Sequence, residues 1–590
     1  MGRRWFVVAV GVVSVSLAAP AAGAGAPAGP GSGSAPGSGG SSALPWLTVS
    51  HPAGQRPELV DPDGRTVVLR GVNVVGVEDD FYTTPTGTEP GPAPVFPIDP
   101  SAYDGTCPAM THRAGEAPVC EVQAGLPEYA QSTDPGSRND LAQMRALGFD
   151  FIRLAVSWSQ LEPTPGRYSR TYLDRIAQVV GWAREQGIYV LLDMHQDAYS
   201  RFTPDTGPVD APPLLGPTEE SSNHADGAPS WAVLADGVPA EAPGGVAEFN
   251  SYVEAAFTSF WLNRVPPVAQ GQAPGPGLQD HYIGAMAALA DRFRGDSTVV
   301  GYEIMNEPLP GFIPPAAFST TELYPFYARV VSALTGTGGA YRDLGTHVRR
   351  QSFFFEPMAV RNLEDAPDQV AVPFSSYPNL VYAPHTYTHV FTADAEAGVP
   401  PQESPYPVSY DQAYQVADAE ARSMHAALIS GEYGNSAGED DVVLRGETAA
   451  QDTAMVGSTL WAWKGSCAAG TPVRQCYDIW SVYAGDPATP PAQNLGLIPT
   501  RVKYLSRIYP MATAGTLDSF GFDPDHGTFT MTATAEGSGP PTVIFVPAGS
   551  SGKVTVRGAA RLGQLVAEPD GTHRVLVYPT GRGAYSVAVS

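Results

Sequence analysis

The sequence predicts a (β/α)8 barrel followed by a small antiparallel β-sandwich, and three observations carry that expectation. Eight short β-branched or aromatic runs recur from Val67 onward, most of them separated by helical patterns. The runs are apolar enough to be buried on both faces, as the strands of a parallel sheet are. After Arg507 the helical patterns cease and period-two runs take over. An open doubly wound sheet would satisfy the first two observations, but no GxGxxG phosphate loop supports it.

The elements follow in chain order. Arg3 and Arg4 precede the apolar run Trp5–Ala18 and then Ala22, Ala24 and Ala26, which reads as a secretory signal over residues 1–26. The competing membrane anchor needs roughly 17–25 apolar residues, and this run is shorter. Residues 27–43 are Gly, Ala, Ser and Pro without exception, a flexible leader. The barrel region is therefore set at 44–512 and the sandwich at 513–590. Barrel strands are expected at Val67–Gly76, Phe151–Val156, Ile188–Met194, Val299–Met305, Ser352–Glu356, Leu380–Ala383, Leu428–Gly431 and Ser458–Ala462. One intervening helix begins near Tyr168, carries Leu173, Ile176, Ala177, Val180 and Ala183 on one face, and stops at Gly187. Another spans Asp280–Arg294. Barrel connections normally run about 2–6 residues, yet 78–132 and 198–279 are far longer. Both leave the carboxyl ends of strands, where loops build active sites, so they should wall a pocket. In the sandwich, Thr528–Thr534, Thr542–Val546, Lys553–Arg557 and Ala584–Val589 are the clearest strands. That domain is read as a packing appendage, with cell-wall attachment as the competing role.

Charge and cysteines narrow the class. Asp and Glu number 60 against 34 Lys and Arg, a formal net charge of −26. Such a surface repels nucleic-acid phosphates and gives no charge-driven adsorption to anionic lipid. The 4 cysteines fall into two local groups, Cys107 with Cys120 and Cys467 with Cys476. In an exported chain two short-loop disulfides follow, whereas a zinc site would need CxxC or HExxH spacing, which is absent from the sequence.

In a barrel, chemistry is expected at the carboxyl ends of strands. Those ends read Asn73, Arg153, His195 with Asp197, Asn306 with Glu307, Glu356, His385 with Tyr387, Glu432, and Trp463. Two of them, Glu307 and Glu432, close the fourth and seventh strands. A charge abutting a buried strand is costly unless it is paired or used. Two facing carboxyls can cleave a glycoside: one, protonated, assists the leaving oxygen while the other, ionised, attacks the anomeric carbon. Burial and mutual repulsion should push their pKa values apart and so assign the roles. No metal and no cofactor are needed.

Asn306-Glu307-Pro308 at a strand end, with Arg153, His195, His385, Tyr387, Glu432 and Trp463 in chain order, resembles glycoside hydrolase family 5. Asp193-Met194-His195-Gln196-Asp197 and Met305-Asn306-Glu307-Pro308 resemble its endoglycoceramidase group, which releases intact oligosaccharide from ceramide. The likeness runs from about Leu59 to the C-terminus and includes the small β domain. It implies Glu307 as acid/base, Glu432 as nucleophile, Asn306 on the sugar 2-hydroxyl, Tyr387 on the nucleophile and Arg153 keeping it ionised. It also implies His195, Asp197 and His385 on sugar hydroxyls and Trp463 as a flat platform. Where relatives acting on glucosylceramide-based chains have a Lys after the first strand, this chain has Glu78-Asp79-Asp80. Lys464 would enter from the opposite side. The sugar linked to ceramide is left open between glucose and galactose.

A lipid substrate asks for an apolar slot, with candidates at Trp231, Val233, Leu234, Phe257, Phe260, Trp261, Leu262, Phe312 and Ile313. Phe257, Phe260 and Trp261 have helical spacing and fit ordinary core equally well. The expected partner is a glycosphingolipid, met in transient contact with a micelle or membrane surface. The expected state is a secreted monomer. Competing functions are a β-glycosidase or endoglucanase acting on non-lipid glycans, and a glycolipid-binding protein without catalysis.

Overall fold

The computed structural model describes residues 13–16, 43–74, 138–200, 202–203, 227–240, 248, 250–268, 273–367, 372–396, 398–404, 406, 408–435, 437–463, 480–484 and 496–590. Eight parallel strands close into a TIM barrel: Arg70–Val74 (β1), Phe151–Ser157 (β2), Tyr189–His195 (β3), Val299–Glu303 (β4), Ser352–Phe355 (β5), Leu380–Tyr382 (β6), Ala427–Tyr433 (β7) and Gly457–Leu460 (β8). All eight expected strands are present, most of them displaced by a residue or two at their ends. β8 pairs back onto β1 through Thr459 opposite Gly71, which closes the ring. A Cβ at Gly71 would sit 2.2 Å from the Phe151 carbonyl oxygen, so only glycine permits this strand approach.

Helix Arg170–Gln186 starts at Ser169, whose side chain accepts from the Tyr172 N–H, and ends at Gly187 with φ 70°. The second expected helix runs Leu278–Phe293. Phe257, Phe260 and Trp261 lie on helix Ser251–Trp261 and are fully or almost fully buried in the main core. They are packing residues and not part of an open slot. Residues 75–137, which include the first long insertion and both Cys107 and Cys120, lie outside the described residues, as do Lys464, Cys467 and Cys476.

The inward side chains of the lower barrel, among them Leu69, Phe151, Tyr189, Leu191, Phe354, Val381 and Ile429, share one cluster with Leu47, Val49 and Leu59. These last three plug the barrel floor from the N-terminal hairpin. The reading of 44–512 as barrel therefore needs adjustment. Thr48–Ser50, Glu58–Val60 and Thr66–Val67 pair with one another and with Tyr509–Thr513, in a seven-stranded antiparallel sheet of the C-terminal domain. A five-stranded sheet faces it across a second core built on Phe529, Met531, Ile544, Val575, Val577 and Val587. One edge strand of that sheet is Val13–Ser16, four residues of the expected export signal, paired with Lys553–Gly558.

The two domains meet under the barrel. Asp452 receives both Arg70 of β1 and Arg507 of the domain linker, and Tyr509 donates to the Gly148 carbonyl at 2.8 Å. Gly148 has φ 96°, and a Cβ there would lie 2.4 Å from the Phe545 ring. Gly148→Ala should therefore lower stability by about 1–3 kcal/mol, read as a reduced denaturation midpoint with unchanged activity of the folded fraction.

Candidate active site

Polar side chains on the inward row of β2, β3 and β4 gather above the apolar floor. Arg153 of β2 is fully buried, so every donor needs a partner. Nε meets Glu303 Oε2 at 2.5 Å, Nη1 donates to Glu432 Oε1 at 2.6 Å and to Asn73 Oδ1 at 2.9 Å, and Nη2 donates to Asn306 Oδ1 at 2.7 Å. Asp193 and Glu356 complete the shell at 3.1 and 3.3 Å from Nη2.

Glu432 ends β7, almost fully buried, and its second oxygen accepts from Tyr387 Oη at 2.7 Å. Glu307 follows β4 with φ 40°, a left-handed backbone unusual for a side chain with a Cβ. Its peptide is gripped on both sides: the N–H reaches Glu356 Oε2 at 3.2 Å, and the carbonyl accepts from Gln196 Nε2 at 3.0 Å. Its Oε1 accepts from Asn362 Nδ2 at 2.9 Å and from His385 Nδ1 at 2.7 Å, while the side chain stays 28 % exposed. His385 Nδ1 also lies 3.5 Å from Glu432 Oε2. One nitrogen thus touches both glutamates, and their nearest oxygens can be no more than about 6 Å apart.

Burial works against charge on Arg153, but Asp193, Glu303, Glu432 and Glu356 outweigh it and hold the guanidinium firmly protonated. Burial likewise opposes charge on His385, where Glu356, Glu432 and Glu307 prevail and push the imidazole well above its ordinary value. Glu303 is pushed well above the carboxylate range by burial, with Arg153 opposing. On Glu432 burial raises the carboxyl pKa while His385 and Arg153 lower it, and the upward direction wins. That direction is the opposite of what pKa ordering would give a resting nucleophile. Exposure and donors tell the two glutamates apart: Glu432 is almost fully buried against Arg153 and Tyr387, while the Glu307 side chain is 28 % exposed.

The oxygen and nitrogen atoms of Glu307, Glu356 and His385 lie within 4.8 Å of one another, a metal-ligand composition among the described residues. Both imidazole nitrogens lie near carboxylates, Nδ1 2.7 Å from Glu307 and Nε2 3.2 Å from Glu356.

Residues 120–466 match the family model for cellulase, glycosyl hydrolase family 5, and residues 507–589 match the family 5 C-terminal domain. The chain belongs to glycoside hydrolase family 5. It is accordingly a glycoside hydrolase. Endoglycoceramidase I of Rhodococcus hoagii (strain 103S) is 26 % identical over 473 residues, 75 % of this chain and 80 % of that protein. The crystal structure of an endogalactoceramidase is 28 % identical with a TM-score of 0.61, covering 93 % of this chain and 100 % of that one. Endo-glycoceramidase II from Rhodococcus sp., in complex with ganglioside GM3, shares the fold at 23 % identity and a TM-score of 0.61, over 90 % of this chain and 99 % of that one.

In this family 5 hydrolase most of the expected residues converge: Asn306, Arg153, His385, Tyr387, Glu307 and Glu432 form one hydrogen-bonded group. Two expectations change. His385 has both nitrogens turned to carboxylates, so it bridges acids and is not placed to bind sugar hydroxyls. Trp463 is 1 % exposed, edge-on to Phe149, and offers no open face. The neighbouring Trp461 is half-buried and stacks on His195, with centroids 5.2 Å apart and planes 13° apart. His195 is itself oriented by Asp193 at 2.7 Å, and Asp197 stands at the rim with its side chain 55 % exposed. Sequence reasoning named neither Asp193 nor Glu303 as a site residue and left Glu356 without a role. Each is a polar residue on or just beyond an otherwise apolar strand, and that signal was present.

Proposed function

We propose that this family 5 hydrolase cleaves the β-glycosidic bond between the glycan and ceramide of a glycosphingolipid, with retention through a covalent glycosyl-enzyme. The carrying observation is the glutamate pair: one carboxylate clamped by Arg153 and Tyr387, the other reaching solvent, with their nearest oxygens no more than about 6 Å apart. In the first step Glu432 forms a bond to the anomeric carbon as the ceramide oxygen leaves with the proton of Glu307. In the second, water attacks that carbon, the ester to Glu432 breaks, and the water proton returns to Glu307. Asn306 Oδ1 is fixed by Arg153 and one amide N–H by the Gln196 carbonyl, which aims the other N–H at the sugar 2-hydroxyl.

Ceramide as the leaving group is favoured by the curated relatives and by two exposed apolar side chains. Leu262 and Phe312 are 62 % and 54 % exposed. The Leu262 N–H donates to the Thr258 carbonyl and the Phe312 N–H to Thr258 Oγ1, so both stand beside one residue, shortly after Glu307 in the case of Phe312. Such a patch would approach a micelle or membrane by apolar contact, since the net charge is strongly negative. Export through residues 1–26 and action as a monomer belong to the same reading. The test is incubation with lactosylceramide, a ganglioside and a galactosylceramide-type substrate, with mass spectrometry of products. Intact glycan plus ceramide is expected. Hydrolysis of soluble β-glucan with no action on any glycolipid would overturn the lipid assignment.

Trp461 is the expected platform for the sugar's C–H face. Trp461→Ala should reduce kcat/KM on the order of tenfold or more through KM, with little change in melting temperature. Trp463→Ala should instead lower stability by about 3–5 kcal/mol and spare KM in the folded fraction. Steady-state kinetics and thermal melts of both variants separate these outcomes.

A further inference from the structure

We propose that Glu356 is a positioning residue of this reaction, holding from β5 both the peptide that carries Glu307 and the imidazolium that hydrogen-bonds Glu307 Oε1. The inference rests on the reading of Glu307 as acid/base.

Glu356 is 1 % exposed and uses both oxygens. Oε2 accepts the Glu307 N–H, the anchor that a residue at φ 40° requires if its side chain is to keep one direction. Oε1 faces His385 Nε2 at 3.2 Å and Arg153 Nη2 at 3.3 Å. The charged or titratable groups facing His385 are Glu307 after β4, Glu356 after β5, Glu432 on β7, and Tyr387 on its own segment, whose ring meets it edge-on. Of the three carboxylates, Glu307 and Glu432 change charge during turnover: Glu307 gives up and regains a proton, and Glu432 becomes an ester. Glu356 takes part in neither step. It is therefore the constant anion that keeps a proton on His385 while its neighbours change. With His385 and Asn362 both on Oε1, the transferable proton of Glu307 is confined to Oε2.

Glu356→Gln removes the charge while keeping the shape and an acceptor for the Glu307 N–H. Imidazole 15N shifts of histidine-labelled protein, assigned by difference from a His385→Gln sample, should show wild-type His385 protonated from about pH 5 to 9. In Glu356→Gln the same imidazole should titrate inside that window, and kcat on glycolipid should fall on the order of 10–100-fold with KM little changed. Glu356→Asp, which keeps the charge but is shorter, should restore the protonated imidazole without restoring kcat. A His385 that titrates inside the window in the wild-type protein would overturn the proposal without any variant. So would Glu356→Gln with an unchanged titration, whatever its kcat. The titration needs no substrate. Failure of the wild-type enzyme to release glycan from every substrate above would sink the glycosphingolipid reading and leave the Glu356 result to be judged separately.

Discussion

Glu432→Gln is expected to lower turnover by about four to six orders of magnitude while leaving the protein folded. An amide cannot attack the anomeric carbon, so the covalent route is lost. Folding should survive because the buried Arg153 keeps Glu303, Asp193 and Glu356 as counter-charges once one of its four carboxylates has gone. Removing the last partner of a buried cation would be far more damaging. The measurement pairs release of an aryl β-glycoside's chromophore with a thermal melt of the variant. The smaller Glu432→Ala variant adds a stereochemical readout. Azide can enter the vacated space and displace an activated leaving group directly, and the product should be the α-glycosyl azide. Near-normal turnover in Glu432→Gln would remove this residue from the mechanism.

The parts of the architecture that repeat were legible in the sequence. Predominantly apolar runs such as Phe151–Val156 and Ile188–Met194, each broken by a single charged residue, read as strands buried on both faces, and eight of them in series favour a closed ring. The glutamates were legible because each closes such a run. Less visible was anything decided where the chain leaves the regular ladder. In β8 the inward positions 457 and 459 lead to Trp461, but the ladder ends at Leu460, and strand alternation alone does not tell Trp461 from Trp463. A register shift between Ser430 and Tyr433 likewise turns Glu432 into the site out of phase with Ala427 and Ile429. The role of His385 depended on contacts with β4, β5 and β7, none of which neighbours it in sequence. The N-terminal strands were read as part of the barrel because a short β-hairpin carries no mark of which sheet it will join. Only the pairing of Thr66–Val67 with Ala512 and Thr513 decides that.

Glu307→Ala should behave differently from the Glu432 variants in a way that tests both roles together. A ceramide alkoxide is a poor leaving group, so loss of the acid should slow glycolipid cleavage by about 10²–10⁴-fold. An aryl glycoside with an acidic phenol leaves with little help, and its first step should be nearly as fast as in the wild-type enzyme. The second step then lacks a base, so the glycosyl-enzyme should accumulate. A burst of phenol and a mass increase of one glycosyl unit on the intact protein would report it. Azide needs no base and should relieve this block, now by attacking the glycosyl-enzyme, so that the product is the β-glycosyl azide. The two variants thus yield azides of opposite configuration, because the nucleophile enters on opposite faces of the same sugar ring. Equal loss of rate across all leaving groups, with no burst, would contradict the acid role of Glu307. A β-azide from the Glu432→Ala variant would contradict the nucleophile role of Glu432, since its removal leaves only direct inversion open to an added anion.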